Sequence, residues 1–101
     1  MEVKINKQDN NTTVVRLEGR LDTPTAQEVN QRLLPVQEDA SGTIILDCEE
    51  LTYISSSGLR VFLTLRKAAA MKGGKVIIRN INDNIRNVFM MTGFLNLFDI
   101  E

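Results

Sequence analysis

The sequence predicts an α/β domain, and three observations carry that reading. Ile44-Ile45-Leu46 and Val76-Ile77-Ile78 are continuous apolar runs without polar alternation, the pattern of strands covered on at least one face. Segments with helical apolar spacing surround both runs, so strands alternate with helices and right-handed crossovers between parallel strands follow. At the N-terminus, two strand-like segments are joined only by a short polar turn, which requires an antiparallel hairpin. With 101 residues there is room for one core, so a single domain over residues 1–101 is expected.

Val3-Lys4-Ile5 alternates as a half-buried strand does, and Gln8 to Thr12 is a polar turn. Thr13 to Gly19 is a second strand, with Val15 and Leu17 on one face and Arg16 and Glu18 on the other. A helix start follows, with Thr23 as cap and Pro24 at the first helical position, where a missing N–H is harmless. Ala26, Val29, Leu33 and Leu34 share a face, and Pro35 ends or kinks this helix. Gly42 marks the turn into the Ile44–Leu46 strand, which should be central and parallel. Asp47 to Tyr53 reads as a connection. A helix from Leu59 to about Met71 is apolar nearly all round, with one narrow solvent stripe of Arg60, Thr64, Lys67 and Met71. Gly73-Gly74 stops it before the Val76–Ile78 strand. Asn82 or Asp83 caps a third helix, with Ile85, Val88 and Phe89 inward and Gly93 at its end. Leu95 to Ile100 closes the chain as a strand or helical turn.

Composition excludes most chemistry. The chain is 43% hydrophobic and 25% charged, with net charge −1 and scattered basic residues, so the basic stripe of a nucleic-acid binder is missing. No apolar run is long enough to span a membrane, and Met1–Lys4 lacks the apolar core of a signal peptide, so a cytoplasmic protein is expected. There is no histidine, which removes the commonest general base and metal ligand. The single cysteine, Cys48, permits neither an internal disulfide nor a multi-cysteine zinc site and reads as a small, partly buried filler. No Gly-x-Ser-x-Gly elbow or phosphate-cradling loop is present, since Gly73-Gly74-Lys75 leaves a helix for a strand. The sequence therefore predicts a non-enzyme with no cofactor and no metal.

One stretch remains. Ser55-Ser56-Ser57-Gly58 sits where a strand hands over to a helix, where unpaired N–H groups and the positive end of the helix dipole favour an anion. Ser56 or Ser57 as N-cap accounts for one hydroxyl, and the chain has only four serines in all. The other hydroxyls are either incidental or functional. A phosphate here would bring about −1.5 to −2 charges to a helix N-terminus that tolerates them, altering the surface without refolding the domain. Arg60 is either a solvated charge or a contact for a partner's acid or a phosphate. Met90, Met91 and Phe94 could form a partner patch, although packing at the core edge is the preferred reading.

Ile45-Leu46-Asp47, followed by Leu51-Thr52-Tyr53-Ile54-Ser55-Ser56-Ser57-Gly58-Leu59, resembles the central motif of the STAS domain family, and more narrowly of the bacterial anti-sigma-factor antagonists. Leu17 to Asp22 with Thr25-Ala26, Gly74-Lys75-Val76, and Val88 to Phe98 resemble further stretches of the family in the same order. The resemblance covers essentially the whole chain. It implies a mixed sheet of four or five strands with helices mainly on one face. It implies an antagonist, expected to be a monomer, that binds an anti-sigma factor, often itself a serine kinase, and so frees a sigma factor for transcription. Phosphorylation by that kinase dissociates the complex and a serine phosphatase resets it. The family's phosphorylated serine matches Ser57, with Ser56 as the lesser candidate. The docking surface matches Asp22, Thr23, Ser55, Ser56, Ser57, Gly58 and Arg60, and the exposed stripe through Thr64 and Lys67 extends it. The family usually carries an acidic residue two positions before the phosphoacceptor, where this chain has Ser55. A STAS module without a working switch, such as a scaffold or a subunit of a transport assembly, is the alternative.

Overall fold

The computed structural model describes residues 1–101. β1 (Glu2–Gln8) and β2 (Thr12–Leu21) form the expected antiparallel hairpin, with Val3 opposite Leu17 and Ile5 opposite Val15. Asn10 and Asn11 turn it at φ 65° and 57°, a backbone region that asparagine tolerates. α1 (Thr23–Arg32) and α2 (Leu34–Glu38) then lead to β3 (Thr43–Asp47). β4 (Leu51–Ile54), α3 (Ser56–Met71), β5 (Lys75–Arg79) and α4 (Asp83–Thr92) follow, and a 3-10 turn at Phe94–Asn96 precedes β6 (Asp99–Ile100).

The sheet runs β1-β2-β3-β5-β6, with β4 paired to the end of β2, and every pairing except the hairpin is parallel. β3 is central, as its unbroken apolar run requires. The register aligns Ile5, Val15, Leu46, Ile78 and Ile100 in one row across five strands. Residues one position along point to the other face. Val15, Leu17, Ile44, Leu46, Val76 and Ile78 share a core with the buried sides of all four helices, while Ile45 and Ile77 lie outside it. The helices therefore cover a single face, as expected. On the open face Arg16 pairs with Glu18 at 3.0 Å and with Asp47 at 3.5 Å, and Lys4 reaches Glu18 at 3.2 Å. These partly exposed pairs keep that face polar.

The sheet has six strands, more than the four or five expected. β4 lies in what read as a connection. It is four residues long, and its burial runs in–out–out–in, so no alternation marks it. A bulge between Gly19 and Arg20 shifts its register on β2. The first helix breaks at the proline, as expected. It ends at Arg32, and a second short helix begins at Leu34 with Pro35 in its first turn, where proline is tolerated. Leu33, at the junction, is fully buried, but Leu34 is 46% exposed and leaves the apolar face assigned to it.

The far end of the core is aromatic. Phe89 meets Phe62 edge-on at 6.1 Å and lies 6.0 Å from Phe94 and 6.4 Å from Phe98. Gly93 ends α4 at φ 80°, which lets the chain fold Phe94 back over Phe89. Phe94 thus packs at the core edge, whereas Met90 and Met91 do not and are 60% and 85% exposed. Cys48 is completely buried, more so than expected, and burial pushes its thiol pKa up to about 12, so the thiolate is suppressed. No helix is long and apolar enough to cross a membrane.

Phe89→Ala should lower the free energy of unfolding by about 3–5 kcal/mol through the cavity it leaves. Met91→Ala, two residues on but exposed, should change it by less than about 0.5 kcal/mol. Urea denaturation of both variants checks the pair, and equal losses would show that the aromatic cluster is not a packed core.

Candidate functional site

α3 starts one turn earlier than its apolar spacing indicates, and its cap is Ser55. Ser55 is extended at φ −92° and ψ 172°, and its hydroxyl accepts the Gly58 N–H at 3.2 Å. Its carbonyl accepts the Leu59 N–H at 2.9 Å, and its own N–H donates to the Leu21 carbonyl at 2.9 Å, tying the helix start to the end of β2. Ser56 and Ser57, expected as caps, instead fill the first two helical positions. Their N–H groups have no intrahelical acceptor, and the first turn of α3 holds no acidic residue. The dipole's positive end is left uncompensated beside two hydroxyls.

α1 begins by the same logic, with its cap one residue earlier than expected. Asp22, not Thr23, is the cap. Its carboxylate accepts the Thr25 N–H at 3.1 Å, and the Thr25 hydroxyl accepts the Asp22 N–H at 2.9 Å, a closed capping box. Hydrogen bonds from the Thr25 side chain and then its backbone hold the Asp22 pKa below the ordinary 3.8. This box therefore supports the helix above that value and is lost as the pH falls through the lowered one.

Gly58 brings the two helix starts together. A Cβ there would lie 2.7 Å from Leu21 Cγ and 2.9 Å from Ile54 Cγ1, so only glycine lets α3 rest on the ends of β2 and β4. Ser57 Oγ then lies 3.5 Å from Thr23 Oγ1. Between the helices runs an open groove of about 240 Å³. Thr23, Gln27 and Asn30 line it from α1, at spacings of four and three. Ser57, Arg60 and Thr64 line it from α3, at spacings of three and four, with Ala26 and Val61 buried beneath. Arg60 is the only charged residue in the lining.

The structure thus gathers four of the eight sequence-derived site residues, Thr23, Ser57, Arg60 and Thr64, into one groove. Asp22, Ser55 and Gly58 lie behind them as framework, and Ser56 is exposed at the helix tip. Lys67 continues the exposed stripe beyond the groove. The α1 side of the groove, Gln27 and Asn30, was not anticipated, although their helical spacing from Thr23 was a usable signal. Arg20 and Tyr53 lie outside the groove. They stack at 4.3 Å on neighbouring strands just before Asp22 and Ser55. No cluster of three potential metal ligands occurs.

Fold, register and helix starts define a class, and the STAS domain family model matches residues 3–101. The chain belongs to the STAS domain family. BtrV of Bordetella bronchiseptica, provisionally named an anti-sigma factor antagonist, is 30% identical over 84 residues, covering 83% of this chain and 72% of BtrV. The anti-sigma-B factor antagonist of Staphylococcus aureus is 29% identical over 87 residues, covering 86% of this chain and 81% of that protein. Among solved structures, SpoIIAA, an anti-sigma factor antagonist and Bacillus cell fate determinant, has a TM-score of 0.76 in both its unphosphorylated and phosphorylated forms. The phosphorylated form is 23% identical, covering 99% of this chain and 91% of that one, a similarity of fold.

Ser55→Ala should destabilise the protein by about 1 kcal/mol, while Ser55→Asp, which keeps an acceptor and adds a charge favoured by the dipole, should not. Gly58→Ala should cost more than the cap, because its methyl group meets Leu21 and Ile54. Thermal unfolding of the three variants checks the order, and a silent Gly58→Ala would show that α3 does not rest closely on the sheet.

Proposed function

We propose that this protein is an anti-sigma-factor antagonist that acts by binding and not by catalysis. It takes up an anti-sigma factor, itself a serine kinase, on the α1–α3 groove and the adjoining helix starts, and phosphorylation of Ser57 releases it. A serine phosphatase restores the binding form. No membrane or nucleic acid takes part, and the protein works as a cytoplasmic monomer. The observation that carries this reading is the place of Ser57: at the second position of α3, partly exposed, beside Gly58 and on the rim of the groove. A phosphate there meets the unpaired N–H groups and dipole of α3, so the fold tolerates it, while a partner in the groove meets its charge and bulk. The names of the relatives favour the same function.

Ser55 favours one alternative, a STAS scaffold or transport-assembly subunit without a switch, since the family's usual acidic residue is absent there. The cap geometry weakens that objection. Ser55 performs the structural task an aspartate would perform, so the helix start and the presentation of Ser57 are kept.

Incubation with the anti-sigma kinase and ATP should add one phosphate, mapped to Ser57 by mass spectrometry and abolished by Ser57→Ala. Ser57→Asp should weaken binding to the anti-sigma factor by at least about tenfold, or 1.4 kcal/mol, while Ser57→Ala binds like the unmodified protein. Equal binding by both variants, or a phosphate elsewhere, would rule out Ser57 as the control point.

A further inference from the structure

We infer that Arg60 is the internal counter-ion for a phosphate on Ser57, and that this pair lies along the α3 wall of the α1–α3 groove and changes the charge and bulk that wall presents. The inference rests on reading Ser57 as the phosphoacceptor and specifies how the phosphate acts.

Ser57 and Arg60 are three residues apart on α3, so their Cβ atoms lie about 5–6 Å apart on one face, and both line the groove. The cations that form ion pairs in this structure are Lys4, Lys7, Arg16 and Arg79. Arg60 is exposed, forms none of them, and has no carboxylate in the groove to turn to. Its position also opposes the dipole, since a cation near a helix N-terminus is disfavoured and no acidic residue in the first turn offsets it. The groove therefore holds one unpaired cation in a field that favours an anion.

A phosphate on Ser57 supplies that anion from one turn away. Its oxygens can accept from the guanidinium fork and from the free N–H groups of the first helical turn. The other groups around it do not compete. Thr23, Gln27 and Asn30, from α1, are neutral, and the Thr23 hydroxyl is a further donor 3.5 Å from Ser57 Oγ. The Asp22 carboxylate is engaged by the Thr25 N–H and hydroxyl, and Arg20 is stacked on Tyr53. The phosphate is thus held along the α3 wall, where it narrows the groove and neutralises the one charge the groove offers a partner.

The test places phosphoserine at position 57 during synthesis, so that no kinase is needed, and follows the second phosphate ionisation by phosphorus NMR. With Arg60 present the ionisation should fall at a pH lower by about half a unit than in Arg60→Ala, with Arg60→Lys between them. Lys67→Ala, on the same stripe but outside the groove, should match the parent protein. Arg60→Gln, which keeps much of the side-chain stem, should titrate like Arg60→Ala and guards against a general effect of truncation. Identical titration with and without Arg60 would overturn the inference. Affinity for the anti-sigma factor separates this from the reading beneath it. Lost binding with an Arg60-independent titration would leave the switch standing and remove the clasp. Unchanged binding of the phosphoserine protein would remove the switch itself, whatever the titration shows.

Discussion

Much of this structure depends on one close contact, the seating of Gly58 against Leu21 and Ile54. It joins three elements that are distant in sequence: the end of β2, the end of β4 and the first turn of α3. A Cβ at position 58 would lie 2.7 Å from Leu21 Cγ and 2.9 Å from Ile54 Cγ1, so either those side chains or the helix would have to shift. With glycine there, the Ser55 N–H reaches the Leu21 carbonyl and the Ser55 hydroxyl caps the helix. Ser57 is set facing Thr23 across the groove. The groove is in this sense a consequence of the close seating of the Gly58 backbone on the Leu21 and Ile54 side chains, and its polar side chains are arranged on that frame.

The same frame explains how a modification could act without refolding the domain. Ser57, the proposed phosphoacceptor, caps neither helix, and its hydroxyl makes only a long 3.5 Å contact to Thr23 Oγ1. Ser55 caps α3, Asp22 and Thr25 close the start of α1, and Leu21, Ile54 and Leu59 are buried beneath them. Ser57 sits above this layer, on a helix end whose dipole welcomes negative charge. The residue that holds the helix, Ser55, is separate from the proposed phosphoacceptor, Ser57, so a charge at Ser57 would change the surface while the core stays put.

The fold was largely legible because its central strands are unambiguous. Ile44–Leu46 and Val76–Ile78 could hardly be anything but covered parallel strands, and Gly93 and the Gly73-Gly74 pair mark helix ends by backbone chemistry alone. β4 was not legible, because its pairing depends on the bulge in β2 and its burial pattern has no period. The starts of α1 and α3 lie earlier than the sequence reading places them, whereas Asn82 caps α4 as expected. Asp22 and Ser55 cap through contacts to residues three further on, and several neighbouring hydroxyls could have done the same. Ser57, Arg60 and Thr64 follow from the serine cluster and the polar stripe on α3, and Thr23 from the family resemblance. The rest of the α1 wall, Gln27 and Asn30, looks like ordinary solvated positions until the packing of the two helices turns it into a groove wall.

The central claim is that charge at Ser57 controls docking on an otherwise unchanged domain. The most direct measurement compares phosphoserine and serine at position 57 in the same protein, reading affinity for the anti-sigma factor together with amide hydrogen exchange across the chain. The account predicts affinity lower by about a hundredfold, or 2.7 kcal/mol, with exchange altered only around the starts of α1 and α3. Equal affinity, or loss of protection spreading through β3 and β5, would contradict it.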